Sequence, residues 1–323
     1  RENVVKSILV RKIRDLSITS EESGENYVYS ASGLVRIGHQ IYVVADDNLH
    51  LALFDLETES PGTRIRLLPG ELPADYKKRK KAKPDLESLL LIAPYAHAPN
   101  GALLAMPSLS RQERTTGILL PLDEEGGISE EVVLIDFSEI RKKLLLNRPG
   151  INIEGIIFDD RVKFLHRGSR KRGKSAIFEF DRSMFMRAIH DTHKPGADCF
   201  LGVKSYELGT INGISLEFTD SVLTEDGQIL FLATAEDTDN EYSDGATLGS
   251  ALGLIDPAGC LGNIFRFEGR EKFEGLTLAG NRVGDSLELL IVADTDDETK
   301  PSGLFTATIE SEILFAQGNR VEK

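Results

Sequence analysis

A short pattern recurs five times along the chain: an apolar residue, then Ser, Glu or Asn, then a small residue, then Leu or Ile. It reads Ala31-Ser32-Gly33-Leu34, Leu86-Glu87-Ser88-Leu89, Ile153-Glu154-Gly155-Ile156, Ile211-Asn212-Gly213-Ile214 and Phe273-Glu274-Gly275-Leu276. The polar residues are 55, 67, 58 and 62 positions apart, and units of that length fill the 323 residues. A repeat at this period constrains the fold more than length does, because each unit can bury its apolar face only against its neighbours.

Each unit continues as strand-like runs bounded by turn residues. Second runs are Ile41–Ala45, Ala102–Met106, Val162–Leu165, Ile229–Thr234 and Leu287–Ala293. Third runs are Leu51–Leu56, Thr116–Pro121, Ser175–Phe180, Ala251–Ile255 and Gly303–Ile309. Fourth runs are Arg64–Leu68, Val132–Phe137, Phe200–Tyr206 and Asn263–Phe267, and the last unit lacks one. Ile8–Leu16 is expected to complete that unit and close the ring, with Glu312–Phe315 as the competing segment. Four-stranded units around an axis predict an all-β chain forming a five-bladed β-propeller, a single domain over residues 1–323. Six blades or a β-sandwich fit the five in-phase repeats less well. One helix is expected, Ser183–His193, between the third and fourth runs of the third unit.

In an up-and-down blade the innermost strand starts at the face where the second strand ends. The five motif residues therefore converge at one mouth of the central tunnel. Ser32, Glu87, Glu154, Asn212 and Glu274 are the candidate metal ligands. Three carboxylates about 5–6 Å apart repel by roughly 3 kcal/mol per pair at an effective dielectric near 20. Such a ring calls for protons or for a cation, and hard oxygen ligands without thiolate or imidazole favour Ca²⁺, or Mg²⁺ in its place.

The loops after the second strands share that face. They carry Asp46-Asp47, Ser108 to Arg111, His166-Arg167, Glu236 to Asp239 and Asp294 to Asp297. The basic runs Lys77–Lys81 and Arg167–Lys174 fall there too, on a chain of formal net charge -14. Basic loops around an acidic ring suggest an anionic small molecule, phosphate being the natural form because it accepts arginine forks. His190-Asp191-Thr192-His193 belongs to the opposite face and reads as a helix end before Lys194-Pro195-Gly196.

The acidic balance argues against duplex nucleic acid and anionic membrane surfaces as partners. No apolar run approaches the roughly 18 residues of a membrane-spanning helix. Tryptophan is absent, which removes the usual stacking platform for sugars or bases. A soluble protein is expected, cytoplasmic, periplasmic or secreted, since a chain opening on Arg1 does not specify the compartment. Cys199 and Cys260 fall in neighbouring units, too far apart for a disulfide, and are expected to be buried thiols.

The series Ser, Glu, Glu, a small polar residue and Glu, one per blade, resembles the calcium-activated apyrases, soluble nucleotidases with a five-bladed propeller. In that family the tunnel calcium is held at equivalent strand starts, which Ser32, Glu87, Glu154 and Glu274 match, with Asn212 in place of a second serine. Ile41–Asp47 is similar to the family's strand ending in two aspartates. The family's acidic Asp-Leu-Asp segment is echoed here only by Asp15-Leu16. The Glu-Gly-Leu pattern is also similar to bacterial phytase-like and esterase-like propellers, usually six-bladed.

The first functional expectation is a calcium-dependent hydrolase of phosphorylated small molecules. In it Asp46 or Asp47 would position water, with Glu236 or Asp294 in reserve, and Arg111 and Arg167 would neutralise the transferred group. The alternatives are a non-catalytic propeller that binds a partner, and a lactonase or esterase with His166 as acid–base group.

Overall fold

The computed structural model describes residues 7–19, 26–129, 131–169, 171–237, 246–280 and 286–310. The chain enters on β1 (Val10–Asp15) and then builds blade 1 from β2 (Ala31–Ile37), β3 (Gln40–Ala45), β4 (His50–Asp55) and β5 (Thr63–Arg66). Helix α1 (Tyr76–Ala82) leads to blade 2, made of β6 (Leu86–Ile92), β7 (Ala102–Pro107), β8 (Thr116–Pro121) and β9 (Val133–Asp136). Helix α2 (Ser138–Leu145) precedes blade 3, which is β10 (Ile153–Phe158), β11 (Arg161–His166), β12 (Ala176–Asp181) and, after α3 (Arg182–Asp191), β13 (Phe200–Ser205). Blade 4 holds β14 (Thr210–Ile211), β15 (Ile214–Leu223), β16 (Ile229–Asp237), β17 (Ala246–Ile255) and β18 (Leu261–Arg266). Blade 5 is β19 (Lys272–Leu278), β20 (Ser286–Asp294) and β21 (Gly303–Glu310).

The ring closes as expected. β1 adds antiparallel to β21, with Val10 opposite Ala307, so the N-terminal strand is the outer strand of the last blade. Glu312–Phe315 lies outside the described residues. The inner strands pack in the circular order β2, β6, β10, β15, β19 and back to β2. Between blades, apolar side chains of the alternating strands interlock; Phe137, Phe164, Phe178, Phe180 and Phe185 fill the space around blade 3 and under α3.

Every inner strand carries a β-bulge at the same place. The register shifts between Ala31 and Gly33, Leu86 and Ser88, Ile153 and Gly155, Phe218 and Asp220, and Phe273 and Gly275. A bulge leaves one residue unpaired and re-aims its side chain. The five bulged residues are Ser32, Glu87, Glu154, Thr219 and Glu274. Four of the five predicted ring positions are met, and the fourth blade differs.

Asn212 sits instead in the β14–β15 turn, exposed, with φ +50° and Gly213 following at +81°. Asn-Gly is the preferred pair for a two-residue hairpin that needs positive φ twice. It imitated the motif while the strand ran on to Phe218-Thr219-Asp220-Ser221.

In blades 1, 2, 3 and 5 the residue after the bulge is small, and the close approach of the inner strands gives a steric reason. A Cβ on Gly33 would stand 2.8 Å from the Leu89 amide nitrogen, and one on Gly275 would stand 3.0 Å from Gly33 Cα. Asp220 occupies the corresponding place in blade 4 and reaches across the tunnel. It accepts the Leu276 amide at 2.7 Å and Ser88 Oγ at 3.3 Å.

Two helices were not anticipated. The Lys77–Lys81 run forms α1 because Asp75 caps it, accepting the Lys78 amide at 2.9 Å, and Arg79 turns inward. In α2, Ile140 and Leu144 lie one turn apart and bury the same face. Both cysteines are free, but only Cys199 is buried; Cys260 is exposed just ahead of β18, where the tight Asp256–Gly259 turn lifts it to the surface.

Candidate functional site at the tunnel mouth

The five bulged residues meet two kinds of partner. Ser32 Oγ donates to the Leu86 carbonyl of the next blade at 2.5 Å, and Thr219 Oγ1 donates to the Phe273 carbonyl at 2.7 Å. These hydroxyls join inner strands rather than face a ligand. Glu154 and Glu274 are both buried, and Arg167, just after β11, reaches them. Its Nη1 lies 3.6 Å from Glu154 Oε1 and 3.4 Å from Glu274 Oε1, while Nη2 lies 2.8 Å from Glu236 Oε2. Lys272 supplies a second cation. Its Nζ stands 3.1 Å from Glu236, 3.3 Å from Glu274, 3.3 Å from Asp294 and 3.2 Å from Asp296.

A calcium ion bound by the ring does not fit this arrangement. An ion shared by Glu154 and Glu274 would need the position that Arg167 Nη1 holds. The guanidinium and ammonium groups supply the positive charge that the carboxylates require.

A second cluster lies toward blades 1 and 2. Lys83 pairs with Asp46 and, at 2.7 Å, with Asp85; Arg114 holds the other oxygen of Asp85 at 2.8 Å. Glu87 stands beside them, with Asp46, Asp85 and Glu87 each offering an oxygen within 4.8 Å of the others. Glu87 itself is half-buried and makes no hydrogen bond or ion pair with a described residue.

These environments drive the carboxyl groups apart. Burial, then the charges of Glu154 and Asp85, hold the Glu87 carboxyl well above the ordinary range. Burial also pushes Glu274 up to about 8, against the pull of Lys272 and Arg167. Glu236 is also buried, but Arg167 and Lys272 outweigh that and hold it down to about 2. One site thus keeps proton-bearing and ionised carboxyls side by side, the signature of acid–base assignments.

The catalytic candidates divide. Arg167 is at the centre, and Asp46 is at the rim with Lys83. Asp47 is buried and accepts from Tyr29, Ser30 and, at 3.3 Å, Arg79, so it holds α1 down rather than facing the mouth. His166 is wholly buried, its Nδ1 accepting the Asn152 amide at 3.1 Å, and burial followed by the Arg148 and Arg172 charges lowers it to about 4. It therefore lies in the interior, off the solvent-facing surface of the mouth. Arg111 is exposed. Glu236 and Asp294 both belong to the network, and Thr238 and Asp239 lie outside the described residues.

The sequence also held an unread signal. Residues i and i+2 of a strand share a face, and two positions before each bulged residue stand Ser30, Asp85, Asn152, Glu217 and Lys272. All five are polar and all take part: Asn152 Nδ2 donates to Glu154, and Glu217 accepts from Ser175. Lys83, Asp85 and Lys272 come from this second ring or its flank.

Residues 27–309 match a protein family described as a family of unknown function, DUF6929. The chain belongs to that family. No functionally curated protein matches the sequence. Among solved structures it is similar to the α-L-arabinofuranosidase PaAbf62A of Podospora anserina, solved in complex with cellotriose, at 12% identity and TM-score 0.53, covering 95% of this chain and 98% of that one. The catalytic domain of the Coprinopsis cinerea GH62 α-L-arabinofuranosidase gives 12% identity and TM-score 0.52, covering 94% and 97%. At such identity the likeness is one of fold. The propeller expected from the apyrase resemblance is met; none of these matches is to an apyrase. Among the described residues no helix is long and apolar enough to cross a membrane.

Proposed function

We propose that the tunnel mouth is a hydrolytic site for a small polar molecule, with Glu87 as the proton-transferring group and Arg167 and Lys272 as fixed positive charge beside it. One observation carries this reading. In a network where Glu154, Glu236, Glu274, Asp85 and Asp294 are each paired with a cation, Glu87 is half-buried, makes no ion pair or hydrogen bond with a described residue, and has its proton affinity raised by burial and by the charges of Glu154 and Asp85. A carboxyl group kept neutral in this way donates its proton to the leaving atom of a bond being split, and a positioned acid of this kind contributes about 10²–10⁴-fold. That both similar structures are named α-L-arabinofuranosidases lends support to hydrolysis on this architecture.

The test is turnover of chromogenic phosphate, carboxylate-ester and glycoside substrates by the wild type and by Glu87→Gln. Gln copies the neutral side chain, so the variant is expected to fold and to lose at least a hundredfold in rate. Equal rates in the two proteins, or none on any substrate class, would overturn the reading and leave a binding propeller.

A second reading is favoured by the closeness of Asp46, Asp85 and Glu87: a divalent cation at that corner, not in the ring. Hard carboxylate oxygens suit Ca²⁺ or Mg²⁺. It requires calcium to raise the melting temperature of the wild type and not of Glu87→Gln.

A further inference from the structure

The bases around the mouth are almost all spoken for. Arg79 is held by Asp47 and Glu298, Lys83 by Asp46 and Asp85, Arg114 by Asp85, and Arg167 and Lys272 by the ring. Arg172, in the β11–β12 loop, is the exception among them. Its guanidinium forms no ion pair or hydrogen bond with a described residue, and its Nε is buried without an acceptor.

The side chain is nevertheless built into place. The loop is clipped by paired main-chain bonds of 2.8 Å between Ser169 and Gly173, and the Arg172 amide donates to Ser169 Oγ at 3.0 Å. Its stem lies on Gly150, where a Cβ would approach Cγ to 2.9 Å. Arg148 flanks the same loop, fixed by the Lys174 carbonyl at 2.8 Å and by Ser205 Oγ.

Glu154 and Glu217 act on Arg172 only through their charge, and neither carboxylate is hydrogen-bonded to its guanidinium. Burial and the neighbouring Arg167 charge lower the proton affinity of Arg172, and burial lowers that of Arg148. His166 is lowered first by its own burial and then by the Arg148 and Arg172 charges. An unpaired, partly buried guanidinium is costly to keep, and a planar fork of donors is suited to one class of partner, a carboxylate or phosphoryl group. Glu154 of the ring and Arg172 each shift the other's proton affinity through their charges, which puts this loop beside the tunnel mouth.

We propose that Arg172 is the docking point for an oxyanion, a carboxylate or phosphoryl group carried by the molecule that occupies the tunnel mouth. The proposal rests on the mouth being a small-molecule site and gives its ligand an anionic end.

The test compares wild type with Arg172→Met and Arg172→Lys at fixed ionic strength, by calorimetry and thermal shift. The probes are inorganic phosphate and malonate, with chloride as control. Phosphate or malonate is expected to bind the wild type and to bind Arg172→Met at least tenfold more weakly. Arg172→Lys should fall between, since an ammonium keeps the charge and loses the fork. Which anion binds more tightly identifies the source of the group. Without anion, Arg172→Met should melt no lower than the wild type. Equal anion binding by wild type and Arg172→Met, no binding of either anion, or a lower melting point for anion-free Arg172→Met would overturn the proposal. Binding that survives in Glu87→Gln while turnover is absent throughout would retire hydrolysis alone.

Discussion

Arg167→Met removes the charge at the centre of the mouth and keeps an unbranched stem. The largest loss falls on Glu236, which Arg167 contacts at 2.8 Å. Glu236 is held near 2 from an ordinary value of 4.5. At 1.36 kcal/mol per pK unit that depression corresponds to about 3 kcal/mol of stability, at the lower edge of the range of about 3–5 kcal/mol for breaking a buried pair. A depressed carboxyl contributes this stability above its unfolded value and loses it as pH falls toward 2. The variant should therefore be less stable by up to about 3 kcal/mol at pH 7, Lys272 keeping part of the pairing, and should converge on wild type only as pH falls toward 2. Glu274, held near 8, adds to the deficit above that pH, because its ionised form would lose the same partner. With 323 residues at about 2.1 cal/mol/K each, 3 kcal/mol corresponds to roughly 4–5 °C in melting temperature. Thermal unfolding at pH 4, 7 and 9 measures it. A variant as stable as wild type at pH 7, or a deficit that widens toward acid, would refute the reasoning.

Asp220 is wholly buried, and burial holds its carboxyl well above the ordinary range. A raised carboxyl contributes its stability below the unfolded value and loses it as pH rises. Asp220→Asn, which keeps an acceptor for the Leu276 amide, should therefore gain on wild type between pH 5 and 8 in denaturant titrations; a relative loss with rising pH would contradict this. Gly33→Ala would place a Cβ against the Leu89 and Ser88 main chain, which cannot rotate away. A loss of about 1–3 kcal/mol or more is expected from overpacking, and unchanged urea unfolding would show that the inner strands have more room than their spacing indicates.

The blade count, the β1 closure and four of the five ring positions were legible because their signals are local: alternation along strands, turn residues between them, and one bulge motif per inner strand. Blade 4 was misread for an equally local reason. Ile211-Asn212-Gly213-Ile214 satisfied both a hairpin turn and the motif, while Asp220, in place of the usual small residue, hid the bulge at Thr219. The second polar ring was available from period-2 spacing. Which of its members would reach which carboxylate was not.

The sequence by itself determined five blades, the face on which the acidic residues gather, and the need for positive charge there. Repetition and side-chain periodicity act within a blade, so they can be read along the chain. Only the tertiary structure decided how that need is met. Arg167 and Lys272 are more than a hundred positions apart, yet closure of the ring brings both onto Glu236 and Glu274. The same closure leaves Glu87 and the Arg172 guanidinium without an ion pair or hydrogen bond among the described residues. Packing five blades about one axis sets the distances on which pairing and protonation depend, and no linear pattern encodes them.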